Sequence, residues 1–163
     1  MATDYSFLTV WKFDAPLEKV YYAIYDADNY HVWWRGQSKV ETIKPGNGLG
    51  VGAVKKFRTR SFLPYTLTYE GTVREVEPLK KVMGTTIGEL EGTGTWIFES
   101  ENGTSTVKYY WVVKTNSFLM NFLSPIFKPL FEWNHDVVMK WGGEGLAKYL
   151  GCRLVEENSK SEL

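Results

Sequence analysis

Hydrophobic and polar positions alternate with a period of two along most of the chain and shift to a period near 3.6 in two places, residues 17–24 and the stretch beyond 124. Residues 7–13 are bulky and β-branched and read as a first strand. Asp14 and Pro16 then supply a helix start, one by side-chain capping and the other by its preset φ. Leu17, Val20, Tyr21 and Ile24 recur at helical spacing, predicting a short amphipathic helix that ends near Asp26, and a second brief helix follows over 29–34. Strands are predicted at 40–43, 51–62, 66–77, 81–89, 93–100 and 104–115. Pro45-Gly46-Asn47-Gly48 and Asn102-Gly103 supply two of the turns between them. The last element is a helix of about 25 residues beginning at Ser124-Pro125, where Pro129 predicts a kink or a start delayed to Lys128. Residues 158–163 read as a frayed polar tail, which leaves 1–157 as one α+β domain.

The last helix carries the first functional hint. At 100° per residue, Phe127, Phe131, Asn134, Val138, Trp141, Gly145 and Tyr149 fall on one stripe, with Gly142 at its edge. Glu132, Asp136, Lys140, Glu144 and Lys148 lie away from it and read as a solvated face. Glycine costs about 1 kcal/mol relative to alanine inside a helix, so Gly142 and Gly145 imply either close approach to the sheet or room left for a ligand. Asn134 on the buried stripe requires a hydrogen-bonding partner, which protein, water or a ligand could supply.

The strands sort by the same reasoning. Lys108 and Lys114 mark the wet face of the last strand, which turns Val107, Tyr109, Trp111 and Val113 inward. Glu99 points out and leaves Trp96 and Phe98 facing in. Phe57 and Thr59 oppose Lys56, Arg58 and Arg60, and Leu67, Tyr69 and Val73 oppose Glu70 and Arg74. An inner face this aromatic, beneath a helix containing glycines, can close fully or leave a pocket of ~300 to 1,000 Å³. The candidate ligand-binding residues are Phe57, Tyr69, Trp96, Phe98, Tyr109 and Trp111 on the sheet, Trp34 after the second helix, and Phe131, Asn134, Val138 and Trp141 on the last helix.

Composition narrows the partners. Nineteen basic residues balance nineteen acidic ones, so there is no global field to draw in nucleic acid. The single cysteine, Cys152, has no partner for a disulfide, and a reducing cytoplasm fits it best. The first ten residues lack the pattern of a signal peptide, and no stretch approaches the ~20 apolar residues that cross a bilayer. The run 118–123, with Ile126 and Phe127 after it, is apolar enough to touch a membrane transiently or to cover one end of a cavity.

Catalytic chemistry is sparse. His135 falls beside the helix stripe, which predicts a place at the rim, and His31 sits in the second helix, where it can cap, pack or line an entrance. Neither forms a recognisable triad with its neighbours, and the two histidines and one cysteine give no metal-ligand spacing. No metal and no cofactor are expected. Gly46, Gly48, Gly50 and Gly52 have no phosphate-binding lysine after them and read as a flexible hairpin. Lys55, Lys56, Arg58 and Arg60 read as a solvated basic face, three of them turned outward.

The order of strand, two small helices, six strands and long closing helix resembles the START-like, or SRPBCC, superfamily with its helix-grip fold. Phe13-Asp14-Ala15-Pro16-Leu17-Glu18-Lys19-Val20 resembles the first strand-to-helix junction of that superfamily, Trp33-Trp34 its tryptophan after the second helix, and Gly50-Val51-Gly52-Ala53 the start of its third strand. Asn134-His135-Asp136, with Met139 and Gly142-Gly143-Glu144-Gly145-Leu146, is similar to bacterial members labelled polyketide cyclase or dehydrase-like. The resemblance implies a curved antiparallel sheet of about seven strands around the last helix and a deep apolar cavity for a lipid, polyketide or isoprenoid. Binding or transport of such a molecule is the expected function. A cyclase or dehydrase using Asn134, Tyr69 or Tyr109 to orient a carbonyl is the alternative, and a protein-interaction module with a filled core is another. The fold does not choose among them.

Overall fold

The computed structural model describes residues 3–62, 64–116 and 124–162. Strand β1 (Thr3–Phe13) leads into helix α1 (Leu17–Tyr25), a 3₁₀ turn (Ala27–Asn29) and helix α2 (Tyr30–Trp33). Six strands follow, β2 (Gln37–Lys44), β3 (Val54–Arg60), β4 (Thr66–Glu77), β5 (Lys81–Gly88), β6 (Leu90–Glu101) and β7 (Thr104–Thr115). Helix α3 (Ser124–Leu150) closes over them, and strand β8 (Leu154–Ser161) ends the described chain. The strands form one curved antiparallel sheet in the order β2-β3-β4-β5-β6-β7-β1-β8, and the architecture is the helix-grip fold.

Alternation explains the pairing. Along β1, Tyr5, Phe7, Thr9, Trp11 and Phe13 are buried while the residues between them are not. They face Val107, Trp111 and Val113 of β7, so both strands turn one aromatic face to the helix. Asn102 and Gly103 both adopt positive φ, 51° and 79°, the geometry of a tight hairpin turn between β6 and β7.

Four expectations are corrected. The sheet has eight strands because residues 158–161, expected to fray, continue β8, which pairs with β1 from Phe13↔Leu154 to Phe7↔Ser161. The composition of Leu-Val-Glu-Glu-Asn-Ser-Lys-Ser hides that strand, since charge and small polar groups are what blunt an exposed sheet edge. Asp14 does not cap α1, whose N-cap is Pro16 without a side-chain bond. Its carboxylate instead accepts from Arg153 Nη2 at 2.9 Å, tying the end of β1 to the start of β8. Pro129 lies inside α3 and does not delay its start, because the helix already runs from Ser124. Tyr149, placed by periodicity on the buried stripe, is 53% exposed near the helix end. The apolar run at 118–123 lies outside the described residues.

The glycines of α3 record close approach. A Cβ on Gly145 would lie 1.9 Å from the carbonyl oxygen of Trp33, and one on Gly142 would lie 2.6 Å from the Trp34 ring and 2.9 Å from that of Trp11. Trp34 Nε1 donates to the carbonyl of Val138 at 2.8 Å, fixing this contact in direction as well as distance. Stacked Trp33 and Trp34, with ring centroids 5.4 Å apart, therefore lie against one half of the helix. Replacing Gly145 with alanine is expected to cost about 3 kcal/mol of unfolding free energy, measured by urea titration, since no flexible side chain can yield to the added methyl. A loss below ~1 kcal/mol would show that α3 shifts freely on the Trp33 backbone.

Candidate functional site

Two buried clusters hold the sheet and helix together. One gathers Trp11, Val20, Trp33, Trp34, Val138 and Met139 beneath α1 and α2, and the other gathers Tyr5, Phe7, Leu67, Leu90, Trp111 and Phe131. Between them is a cavity of about 190 Å³. Its walls come from both clusters, Trp34, Val138 and Met139 on one side and Leu67, Leu90, Trp111 and Phe131 on the other.

Two pairs of stacked rings line the sheet side. Phe57 and Tyr69 stack at 5.2 Å with 13° between planes, and Trp96 and Tyr109 at 4.0 Å with 21°. Glycine makes both arrangements possible. A Cβ on Gly71 would sit 3.0 Å from the Phe57 ring, and one on Gly94 would sit 2.6 Å from the Tyr109 hydroxyl oxygen. The rings lie over backbone that carries no side chain, and the space above them stays open.

The polar groups of the wall are few and largely fixed. The Thr59 hydroxyl donates to Gln37 Oε1 at 3.1 Å. Tyr30 donates to the carbonyl of Ile24. Burial raises the pKa of Tyr30, Tyr69 and Tyr109, so all three phenols remain protonated and act as donors rather than bases. Asn134 Oδ1 accepts from Ser61 Oγ, which fastens the segment after β3 to α3. The partner that Asn134 required is thus supplied by protein.

The chain matches over residues 8–151 the family described as polyketide cyclase/dehydrase and lipid transport. It belongs to that family. No curated protein matches the chain. Among solved structures it is similar to an aromatase/cyclase from a Streptomyces species, with TM-score 0.75 and 11% identity over 91% of this chain and 94% of the other. The di-domain aromatase/cyclase BexL from the BE-7585A biosynthetic pathway aligns with TM-score 0.70 and 19% identity over 92% of this chain, which spans 51% of the di-domain protein. A protein of Thermus thermophilus aligns with TM-score 0.69 and 16% identity, over 88% of this chain and 98% of that one. At these identities the likeness is one of fold.

For this member of the polyketide cyclase/dehydrase family, nine of the eleven residues expected to bind a ligand line the cavity, namely Trp34, Phe57, Tyr69, Trp96, Tyr109, Trp111, Phe131, Asn134 and Val138. Phe98 and Trp141 do not. Phe98 faces inward but lies under α1, where the Tyr21 ring meets it edge-on at 4.9 Å. Trp141 projects to the outer flank of α3, packing on Phe62 at 5.0 Å with the Arg35 guanidinium 4.2 Å above its ring. The helix turns Phe131, Asn134 and Val138 of its predicted stripe to the cavity, together with His135 and Met139 beside them.

His135 is the residue that periodicity misplaced. It is 6% exposed, not at a rim, with its ring stacked at 3.8 Å on Phe7 and 5.4 Å from Trp111. Its Nε2 is buried without a partner among the described residues, and its Nδ1 reaches Asp136 at 3.4 Å. His31 is exposed, with Nδ1 2.9 Å from the carbonyl oxygen of Asp28, and takes no part in the cavity. The signal that could have found His135 is on the sheet. The inward faces of β1 and β7 place Phe7 opposite Trp111, a pair of flat rings suited to an imidazole.

Burial lowers the His135 pKa, and the nearby Asp136 carboxylate offsets this only in part. In the unfolded chain a histidine takes its proton near pH ~6.5, and in the fold His135 does so at lower pH. Between those values the unfolded state binds more protons, so stability falls as pH drops from about 6.5 and is full above it. The urea midpoint is therefore expected to decline from pH 7.5 to 5, with a shallower decline in His135→Gln. An unchanged slope in that variant would assign the dependence to other groups.

Proposed function

We propose that this protein binds a compact, flat, mostly apolar molecule of one or two fused rings between its sheet and α3, and that binding or delivery rather than chemistry is its task. The observation that carries this reading is the cavity of about 190 Å³ bounded by two stacked ring pairs. A dry apolar cavity of ~150 Å³ already accepts benzene, whereas an extended polyketide chain exceeds the space present here. Dispersion against ring faces supplies affinity, and protonated phenols offer hydrogen bonds to a carbonyl or hydroxyl. The family's description includes lipid transport alongside cyclisation and dehydration, which is compatible with a noncatalytic member.

Chemistry has one argument in its favour. A neutral imidazole at His135, with an unpartnered nitrogen, could accept a proton from a ring-forming substrate while Asn134, Tyr69 or Tyr109 orients a carbonyl. Against it, the Asn134 oxygen is already engaged with Ser61. The protein-interaction reading requires a filled core, and the open space beneath α3 weighs against it.

Titration with 2-naphthol, followed through tryptophan fluorescence, is expected to saturate at micromolar concentrations. Val73→Phe, which places a ring in the cavity wall, is expected to weaken binding at least tenfold while leaving the near-ultraviolet circular dichroism intact. Binding that is indifferent to Val73→Phe would put the probe elsewhere and remove the basis for the proposal.

A further inference from the structure

An aromatic cluster stands on the outer flank of α3, away from the cavity. Phe62, just past β3, stacks on Trp133 with ring centroids 5.9 Å apart and meets Trp141 at 5.0 Å. Phe62 is 59% exposed and Trp133 is 49% exposed. Ile126 lies two turns before Trp133 on the same side of the helix and is 70% exposed. Single apolar side chains in water are ordinary, but rings that touch one another and still face solvent mark a surface with a partner. Neither of the buried clusters that hold sheet and helix together includes Phe62, Trp133 or Ile126.

The unpaired charges beside this cluster are of one sign. The Arg35 guanidinium lies 4.2 Å above the Trp141 ring. Arg60 is tied to the same corner by its backbone amide, which donates to the carbonyl of Gly36 at 2.7 Å, and the chain runs from it through Ser61 into Phe62. Both arginines are exposed, and neither forms an ion pair among the described residues. The carboxylates of α3 next to Trp133 turn elsewhere: Glu132 accepts from Ser161 of β8 at 3.1 Å, and Asp136 faces His135. Further along, Lys140 and Glu144 offset each other at 4.0 Å. Exposed tryptophan beside free guanidinium suits the boundary between lipid headgroups and acyl chains, where the indole finds both apolar and polar surroundings and the guanidinium meets phosphate. A second copy of this face would instead bring like charges together.

We infer that this flank, formed by Phe62, Ile126 and Trp133 with Arg35 and Arg60, docks the protein on an anionic membrane surface. The contact is peripheral, since no helix among the described residues is long and apolar enough to cross a membrane. The apolar side chains enter the headgroup boundary while the two guanidinium groups bind lipid phosphates. Ser61, between Arg60 and Phe62, donates to Asn134 on the cavity wall, so docking by this flank holds the cavity close to the lipid surface.

Sedimentation with sucrose-loaded vesicles tests this, using phosphatidylcholine alone and equal parts of phosphatidylcholine and phosphatidylglycerol. Wild-type protein is expected to pellet with the mixed vesicles and far less with the neutral ones. Phe62→Ser and Trp133→Ser in one chain are expected to weaken binding to mixed vesicles at least tenfold. Arg35→Gln and Arg60→Gln are each expected to weaken it about fivefold and to leave binding to phosphatidylcholine unchanged. Val112→Ser, which removes an exposed apolar side chain from the outer face of β7, is expected to change nothing. A cooperative urea transition checks the fold of each variant. Wild-type protein that stays in the supernatant, or that pellets equally well after the double substitution, would overturn the membrane assignment. So would a concentration-dependent dimer in gel filtration that the double substitution abolishes while vesicles capture neither protein. The cavity reading is tested separately: a chain that binds vesicles but no 2-naphthol keeps its docking surface and loses the function proposed above.

Discussion

The contact between Trp34 and α3 sets the geometry of everything around it. An indole lies under Gly142 at a distance no side chain would tolerate, and its Nε1 is tied to the Val138 carbonyl. On its other side Trp34 meets Trp11 at 5.5 Å and Trp96 at 6.3 Å, both from the sheet. The ring thus acts as a spacer of fixed thickness between helix and sheet at one end. At the other end Phe131 fills the same role against Tyr5, at 4.5 Å. A helix supported at two points cannot settle onto the sheet between them, and the glycines of β4, β5 and β6 deepen the space that results. The cavity follows from rigid packing at its ends and needs no flexibility.

This division explains why the wall is chemically quiet. The phenols of Tyr30, Tyr69 and Tyr109 are kept protonated by burial, and the amide of Asn134 is engaged by Ser61. Two groups depart from that pattern, His135 between flat rings and Lys55 beside Asp28. They stand on different elements, the imidazole on α3 and the ammonium on β3, where Asp28 already holds it. The family to which the chain belongs spans cyclisation, dehydration and lipid transport, and within such a family it is features of this kind that separate one function from another.

Much of this was legible in the order of residues. Strands β4 and β7 follow the predicted 66–77 and 104–115, because apolar inward and polar outward positions alternate along β7 and along β4 as far as Val73, where the pairing with β5 shifts register. The same alternation found five of the sheet's lining residues, Phe57, Tyr69, Trp96, Tyr109 and Trp111, but it drew in Phe98, where the face is right and the position along the strand wrong, and it named neither Lys55 nor any residue of β5. The helix was harder. Its apolar stripe is broad, and the direction it faces is decided by Trp33 and Trp34, residues more than a hundred positions away that demand glycine at 142 and 145. Periodicity cannot contain that information, so Trp141 was drawn inward and His135 outward. β8 escaped for the opposite reason: its stability comes from pairing with β1, through bonds such as Thr9 Oγ1 to Ser159 Oγ at 2.9 Å, and not from side chains that announce a strand.

Whether α3 truly stands clear of its aromatic floor is tested most directly by a crystal structure of the protein under xenon pressure. Xenon enters apolar space of this size without needing a polar partner. Ordered xenon density is expected between the Trp96–Tyr109 pair and Val138. A well-diffracting crystal with no xenon there, and with those rings closed against the helix, would contradict the central claim.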